Sequence, residues 1–230
     1  MASTAIKEPE LWRRRLYVPF YKVSEAARYT HSSSNTVARW HRLSVLPTRQ
    51  VRDDLSYMQL IELAVVAAMR RAKIPLAEIK AGRDYFARAL GTEYPFATYS
   101  FKADGKRIVM DYQEIEPKTG LGKLIYSDGQ LGWKEVVELL LQEFDYEEDG
   151  LAVRWHVGGI KSRVLIDPQL AFGSPNVSGV ATWALKERYN GGESVSDLAN
   201  DFDLEEQSVI DALNFEGIEP DFDRVSLWVN

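Results

Sequence analysis

Residues 21–42 read YKVSEAARYTHSSSNTVARWHR, and this stretch predicts two short helices separated by a turn. Ser24 is placed to cap the first helix, and Ser33 or Ser34 the second, because serine favours the position just before a helix begins. The polar residues 31–34 interrupt the apolar pattern between the two helices. We therefore expect a helix-turn-helix.

The second predicted helix has two different faces. Val37 and Trp40 are three residues apart, so both side chains point to the core. The opposite face offers a DNA duplex hydrogen-bonding groups and positive charge, as a recognition helix does, through Ser34, Asn35, Arg39 and Arg42. The alternative is that a capped, amphipathic helical pair belongs to an all-α core and binds nothing.

Composition limits the class of protein. The 230 residues are 45% hydrophobic, which is enough for two or three small domains with packed cores. No window approaches the roughly 18 uncharged apolar residues of a membrane span. Lys7, Glu8 and Glu10 lie where a secretory signal has its apolar core. We expect a cytoplasmic protein that does not contact a membrane.

The reactive side chains do not form a catalytic or metal-binding pattern. The chain has no cysteine, and its three histidines are not spaced like metal ligands. No Ser, His and Asp combination has the spacing of a nucleophile and its base, and no glycine-rich loop suggests a phosphate site. We expect no enzyme activity, no metal and no cofactor.

Charge is distributed unevenly along the chain, whose net charge is −6. Residues 1–90 contain 16 Lys or Arg and 8 Asp or Glu, whereas residues 145–230 contain 6 and 17. The basic part suits a polyanion such as DNA, and the acidic part would be repelled by one. We expect the two ends of the chain to bind different partners.

Residues 1–17 show no helical or strand periodicity and are predicted to be a basic N-terminal arm. Arg13, Arg14 and Arg15 are suited to a phosphate backbone or a minor groove. The alternative is a solvated basic segment without a ligand.

Residues 18–92 resemble the winged helix-turn-helix domain of MerR-type regulators. Ser44 to Pro47 correspond to the family's Gly-Leu-Leu-Pro-like turn, and Arg49 and Arg52 to its basic wing. The next helix of the family begins at Tyr57 to Leu60, and the helix after it is marked by Ile74, Leu76 and Ile79. The resemblance implies operator DNA as a partner, with wing contacts from Arg49 and Arg52. His31 and Ser32 depart from the family, which has glycine and an apolar residue there. A left-handed histidine costs about 1 kcal/mol.

Residues 93–162 are predicted to be an α+β connector. Period-two alternation around Asp104 and Gly105 predicts a β-hairpin, and helical spacing from Trp133 to Phe144 predicts a helix. Residues 151–168 predict two strands around Gly158 and Gly159. The connector resembles the region between the two recognisable domains in one group of antitoxins.

Residues 163–215 resemble a small helical domain of unknown function found in many VapB-type antitoxins. The matching positions are Asp167, Pro168, Gly173, Pro175, Val177, Gly179, Gly192 to Ser194, Leu198, Ala199, Asp201, Phe202, Val209, Ala212, Leu213 and Phe215. The family's Thr-Arg-Ile-Pro piece is absent near residues 180–183. We expect three helices, and the last carries Glu205, Glu206 and Asp211 without a Lys or Arg, which disfavours DNA. We expect a protein-contact or dimerisation module; packing on its own chain alone is the alternative.

Residues 216–230 form a partly apolar C-terminal segment that is predicted to bind a protein. We expect Phe222, Leu227 and Trp228 to anchor it on a toxin and Arg224 to pair with toxin carboxylates. The alternatives are that the segment packs back on its own molecule and that Arg224 pairs with its neighbouring aspartates.

Together these features predict a mainly helical α+β chain with a winged helix-turn-helix, a connector and a small three-helix domain. The resemblance implies an antitoxin of a type II toxin–antitoxin system that acts as a homodimer on its own operator. It also implies a partner toxin of the PIN-like, VapC-type ribonuclease class. The alternative is a MerR-like transcriptional regulator that answers a small ligand and has no toxin.

Overall fold

The computed structural model describes residues 8–47, 54–98, 142–147, 150–221 and 224, and this part of the chain has an α+β fold. It contains eight helices, α1 Glu8–Arg15, α2 Val23–Tyr29, α3 Ser34–Arg42, α4 Tyr57–Arg71, α5 Leu76–Leu90, α6 Thr182–Asn190, α7 Val195–Phe202 and α8 Glu206–Phe215. Its five strands are β1 Phe144–Tyr146, β2 Ala152–Trp155, β3 Leu165–Ile166, β4 Pro175–Val177 and β5 Val180–Ala181. The chain divides into two compact units, Met1–Ala152 and Val153–Asn230.

Helix α4 is the centre of the N-terminal unit. It is buried on all sides, from Tyr57 to Met69. A capping box begins the helix: the Ser56 N–H donates to Gln59 Oε1 at 2.9 Å, and the Gln59 N–H donates to Ser56 Oγ at 3.3 Å. A helix that is apolar all round is stable only inside a core, so the helices beside α4 are positioned by packing on it.

A buried ion pair joins α4 to α5. Glu62 is fully buried and accepts a hydrogen bond from Arg83 Nε at 3.0 Å. The Phe96 N–H, in the 3₁₀ turn Pro95–Ala97, donates to the other carboxylate oxygen of Glu62 at 2.7 Å. Burial raises the pKa of Glu62 to about 7, and the charge of Arg83 opposes this shift. One carboxylate thus connects two helices and the start of the following segment.

The N-terminal segment differs from the expected irregular arm, because residues Glu8–Arg15 form α1. Leu16, just after α1, is completely buried, and its carbonyl accepts the Met58 N–H at 3.1 Å. Tertiary packing therefore orders a segment whose sequence shows no periodicity.

In the connector, residues 99–141 lie outside the described residues, and so do the predicted hairpin at Asp104 and Gly105 and most of the predicted helix. Phe144, expected at the end of that helix, instead begins β1. The two strands predicted around Gly158 and Gly159 are confirmed as β2 and β3, which pair antiparallel with Trp155 opposite Ile166.

The C-terminal unit combines a small antiparallel sheet with three helices. Most of β2 and all of β3, β4 and β5 belong to this unit and follow chain order in the sheet. Ser178 and Gly179, both with positive φ, form the two-residue turn between β4 and β5. Helices α6 and α8 pack on β4, and α7 packs on α6 and α8. The three helices predicted for residues 163–215 are confirmed as α6, α7 and α8.

Within the described residues, no helix has both the length and the apolar character needed to cross a membrane.

Candidate functional site

Helices α2 and α3 are the two short helices, separated by a turn, that were predicted from residues 21–42. Ser33 caps α3, since its Oγ accepts the Thr36 N–H at 3.2 Å. The start of α2 differs from the prediction: Lys22, and not Ser24, is the N-cap residue, and its N–H donates to Glu25 Oε2 at 3.0 Å. The Glu25 carboxylate therefore accepts a free backbone N–H at the start of α2, a role that we had assigned to the Ser24 hydroxyl.

Two non-glycine residues with left-handed backbone delimit α3. His31, in the turn before it, has φ of 51°, and Ser44, in the turn after it, has φ of 54°. Both are turn positions at which the MerR-type pattern has glycine. Each left-handed side chain costs on the order of 1 kcal/mol.

Helix α3 presents the predicted face to solvent. Val37 and Trp40 are buried and hold the helix against the core. At 100° per residue, the exposed side chains of this helix lie on the opposite side, and those predicted to contact DNA are Ser34, Asn35, Arg39 and Arg42. The structure thus brings together two arginines, an amide and a hydroxyl on one solvent-exposed helical face.

The turn between α2 and α3 is tied to the core helix by a residue that the sequence analysis did not identify. Arg71, in the last turn of α4, donates from Nη1 to the Thr30 carbonyl at 2.8 Å. Thr30 Oγ1 in turn donates to the Ala26 carbonyl of α2 at 2.8 Å. The two residues of the first bond are 41 positions apart, so no local pattern could have predicted it.

The remaining basic residues assigned to DNA have different surroundings. Arg14 and Arg15 are exposed at the end of α1. Arg13 is hydrogen-bonded through Nη2 to the Glu147 carboxylate, and its guanidinium also lies over the Trp12 ring. Arg13 therefore has intramolecular partners where we expected a phosphate ligand. Arg49 and Arg52 of the predicted wing lie outside the described residues.

Two described residues of the C-terminal segment, Asp221 and Arg224, contact Tyr189 of the same unit. The guanidinium of Arg224 lies 4.2 Å from the centre of the Tyr189 ring in α6, and the Asp221 N–H donates to the Tyr189 hydroxyl at 2.8 Å. Arg224 thus makes a cation–π contact with its own chain, and its pairing with toxin carboxylates stays a prediction. Phe222, Leu227 and Trp228, predicted to bind the toxin, lie outside the described residues.

A second exposed feature, which the sequence analysis missed, lies in the C-terminal unit. Ala171, Phe172 and Gly173 are three consecutive residues with left-handed φ, and the Phe172 side chain is 83% exposed. Trp183, in the first turn of α6, is 58% exposed. The only sequence signal was the departure from the antitoxin-domain pattern near residues 180–183.

Acidic and histidine side chains do not assemble into a metal site in the described ranges, where no three such groups are close enough to hold an ion.

Comparisons with known proteins found similarity both in sequence and in structure. No family model matches the chain. A Mycobacterium tuberculosis protein named "Putative antitoxin VapB45" is 25% identical over 228 residues, which cover 87% of this chain and 95% of the relative. The crystal structure of Rv2018 from the same organism matches with a TM-score of 0.75 at 23% identity, covering 86% of this chain and 99% of the other. The second comparison shows that the two chains share a fold along most of their length.

Proposed function

We propose that this chain is the antitoxin of a type II toxin–antitoxin system. The observation that carries the proposal is the similarity along 87% of the chain to a protein whose name describes an antitoxin. The match covers more of the chain than either unit alone, so it extends over both units.

In this proposal the N-terminal unit binds operator DNA as a MerR-like winged helix-turn-helix. The exposed face of α3 enters the major groove, where Arg39 and Arg42 meet guanine edges or phosphates and Asn35 meets an adenine edge. The exposed arginines at the end of α1, Arg14 and Arg15, contribute to the phosphate contacts. A homodimer would place two α3 helices on one side of the duplex, one or two helical turns apart.

The C-terminal part then binds and silences a PIN-like, VapC-type ribonuclease. Its acidic composition supports this division, because a surface with net negative charge is repelled by DNA and attracted by a protein that must itself bind RNA. The contacts assigned to Phe222, Leu227 and Trp228 remain part of the proposal, whereas the cation–π contact with Tyr189 supports a role for Arg224 in holding the C-terminal segment to its own unit.

Co-expression tests the toxin half of this function. The chain, tagged at one end, is produced together with the protein encoded by the neighbouring reading frame, and the mass of the purified complex is measured. We expect a stable complex in which the neighbour's ribonuclease activity is suppressed. Purification of the chain alone, with ribonuclease activity unchanged on mixing, would refute the antitoxin function.

A band-shift titration tests the DNA half. The probe is the region upstream of the chain's own reading frame, and the titration is repeated in rising salt. We expect binding that weakens steeply with salt, because phosphate contacts release counterions. Failure to bind that region at low salt would refute the autoregulatory function without touching the toxin result.

A further inference from the structure

The β4–β5 hairpin has an open end at which large apolar side chains are exposed. Val177 pairs with Val180 beside the turn, so the chain enters β4 and leaves β5 at the opposite end. Phe172 precedes β4 by three residues and Trp183 follows β5 by two, which places both near that open end. Leu170, at 39% exposure, belongs to the same loop as Phe172.

The loop that carries Phe172 is strained but held in place. The Gly173 N–H donates to the Leu170 carbonyl at 2.8 Å, and the Leu170 N–H donates to the Asp167 carbonyl at 2.9 Å. The buried Asp167 carboxylate is itself bound by Arg154, with nitrogen–oxygen distances of 3.1 and 3.2 Å. A fixed, left-handed backbone that presents an aromatic ring to solvent fits a preorganised contact better than a folding requirement.

The C-terminal unit, which carries this surface, has an excess of acidic residues. Glu187 lies one helical turn after Trp183 on α6 and is also exposed. Residues 153–230 contain thirteen Asp or Glu and six Lys or Arg. A protein that binds RNA needs a basic surface for the phosphates, so the charges of the C-terminal unit complement such a partner.

We propose that Leu170, Phe172, Trp183 and Glu187, here called the hairpin-end surface, bind the basic face of the ribonuclease toxin. The two aromatic rings fill apolar pockets of the partner, and Glu187 pairs with a cation at their edge. Aromatic anchors surrounded by polar residues are the usual composition of an interface centre. This inference rests on the proposed antitoxin function and specifies which surface performs it.

The variants are chosen so that loss of binding is separable from loss of folding. Phe172→Gly removes the ring and also relieves the left-handed strain at φ of 53°, so it should not destabilise the unit. Trp183→Ala removes the second anchor. Ile160→Ala is the matched control, because Ile160 is also 58% exposed in the same unit but lies between β2 and β3.

The experiment measures affinity of the full chain for the purified protein of the neighbouring reading frame, together with the mass of the chain alone. We expect Phe172→Gly and Trp183→Ala each to weaken binding by roughly 30-fold, and Ile160→Ala by less than about threefold. Binding by the unmodified chain should also weaken as salt rises, because the charges are complementary.

Four outcomes overturn the inference in different ways. If the unmodified chain forms no complex, the proposed function itself fails. If it binds and both aromatic variants bind equally well, the antitoxin function survives and the surface assignment falls. A lower mass for the aromatic variants alone in solution would assign the surface to a second copy of this chain. Loss of binding only on deletion of residues 225–230 would assign the contact to the C-terminal segment.

Discussion

At the scale of single residues, the proposed DNA-binding face depends most on Arg39. Replacing Arg39 with alanine should weaken operator binding by about 1–3 kcal/mol and relax specificity, because a bidentate contact to a base edge would be lost. Arg88→Ala is the matched control, since Arg88 is also exposed but donates to the Asp84 carbonyl within its own helix. Band shifts with the upstream fragment and with single-base variants measure both effects. Equal losses for the two variants would contradict the role of Arg39.

His31, in the turn between α2 and α3, has a strained left-handed backbone. Because its φ is 51°, His31→Gly should stabilise the protein by about 0.5–1 kcal/mol, net of the extra backbone entropy of glycine in the unfolded chain. His31→Ala keeps the left-handed β-carbon and should give no such gain. Urea unfolding of the three proteins compares them. A stabilisation of the same size for both variants would show that the imidazole, and not the backbone, is responsible.

At the scale of elements, the Glu62 ion pair makes the packing of α4 on α5 depend on pH. Burial raises the pKa of Glu62 from 4.5 to about 7, so between these values the folded state binds more protons than the unfolded state. The stability of this packing should therefore fall as pH rises from 4.5 through 7, by an amount on the order of 1–3 kcal/mol.

Glu62→Gln isolates this effect, since glutamine keeps the shape and an acceptor for the Phe96 N–H but does not titrate. Hydrogen exchange of α4 amides in the full chain, corrected for the intrinsic dependence of exchange on pH, measures the local free energy of opening. The unmodified protein should lose protection between pH 5 and pH 8 relative to the variant. Parallel pH profiles for the two proteins would show that Glu62 keeps an ordinary pKa.

At the scale of the whole molecule, the opposite charges of the two ends predict that DNA binding survives without the C-terminal unit. A fragment of residues 1–152, which follows the boundary between the two units, should bind the upstream DNA with a salt slope close to that of the full chain. Its affinity should be lower if the C-terminal unit supplies the dimer contact, because a monomer loses the second half-site. Band shifts compare the DNA affinities of the two proteins, and sedimentation compares their masses. A fragment that is folded but does not bind would place part of the DNA surface in residues 153–230.

Local sequence patterns predicted the elements whose determinants lie within a few residues. Ser33, one of the two serines predicted to cap the second helix, accepts the N–H three residues later, as cap preferences require. Ser56 and Ser194 do the same at the starts of α4 and α7. The inward positions of Val37 and Trp40 follow from helical spacing alone. The exposure of the polar face of α3 was therefore predictable before any tertiary contact was known.

Only the tertiary structure decided which residues far apart in the sequence contact each other. The bond from Arg71 to Thr30, the ion pair of Arg83 with Glu62 and the contact of Arg224 with Tyr189 span 41, 21 and 35 positions. Local patterns extend only about one helical turn, so they cannot assign such partners, nor the order that packing imposes on α1. Apart from α1, the sequence by itself determined which of the described helices form and which faces they bury, because caps and periodicity act locally. The fold decided which charged groups are held within the molecule and which side chains remain exposed for a partner.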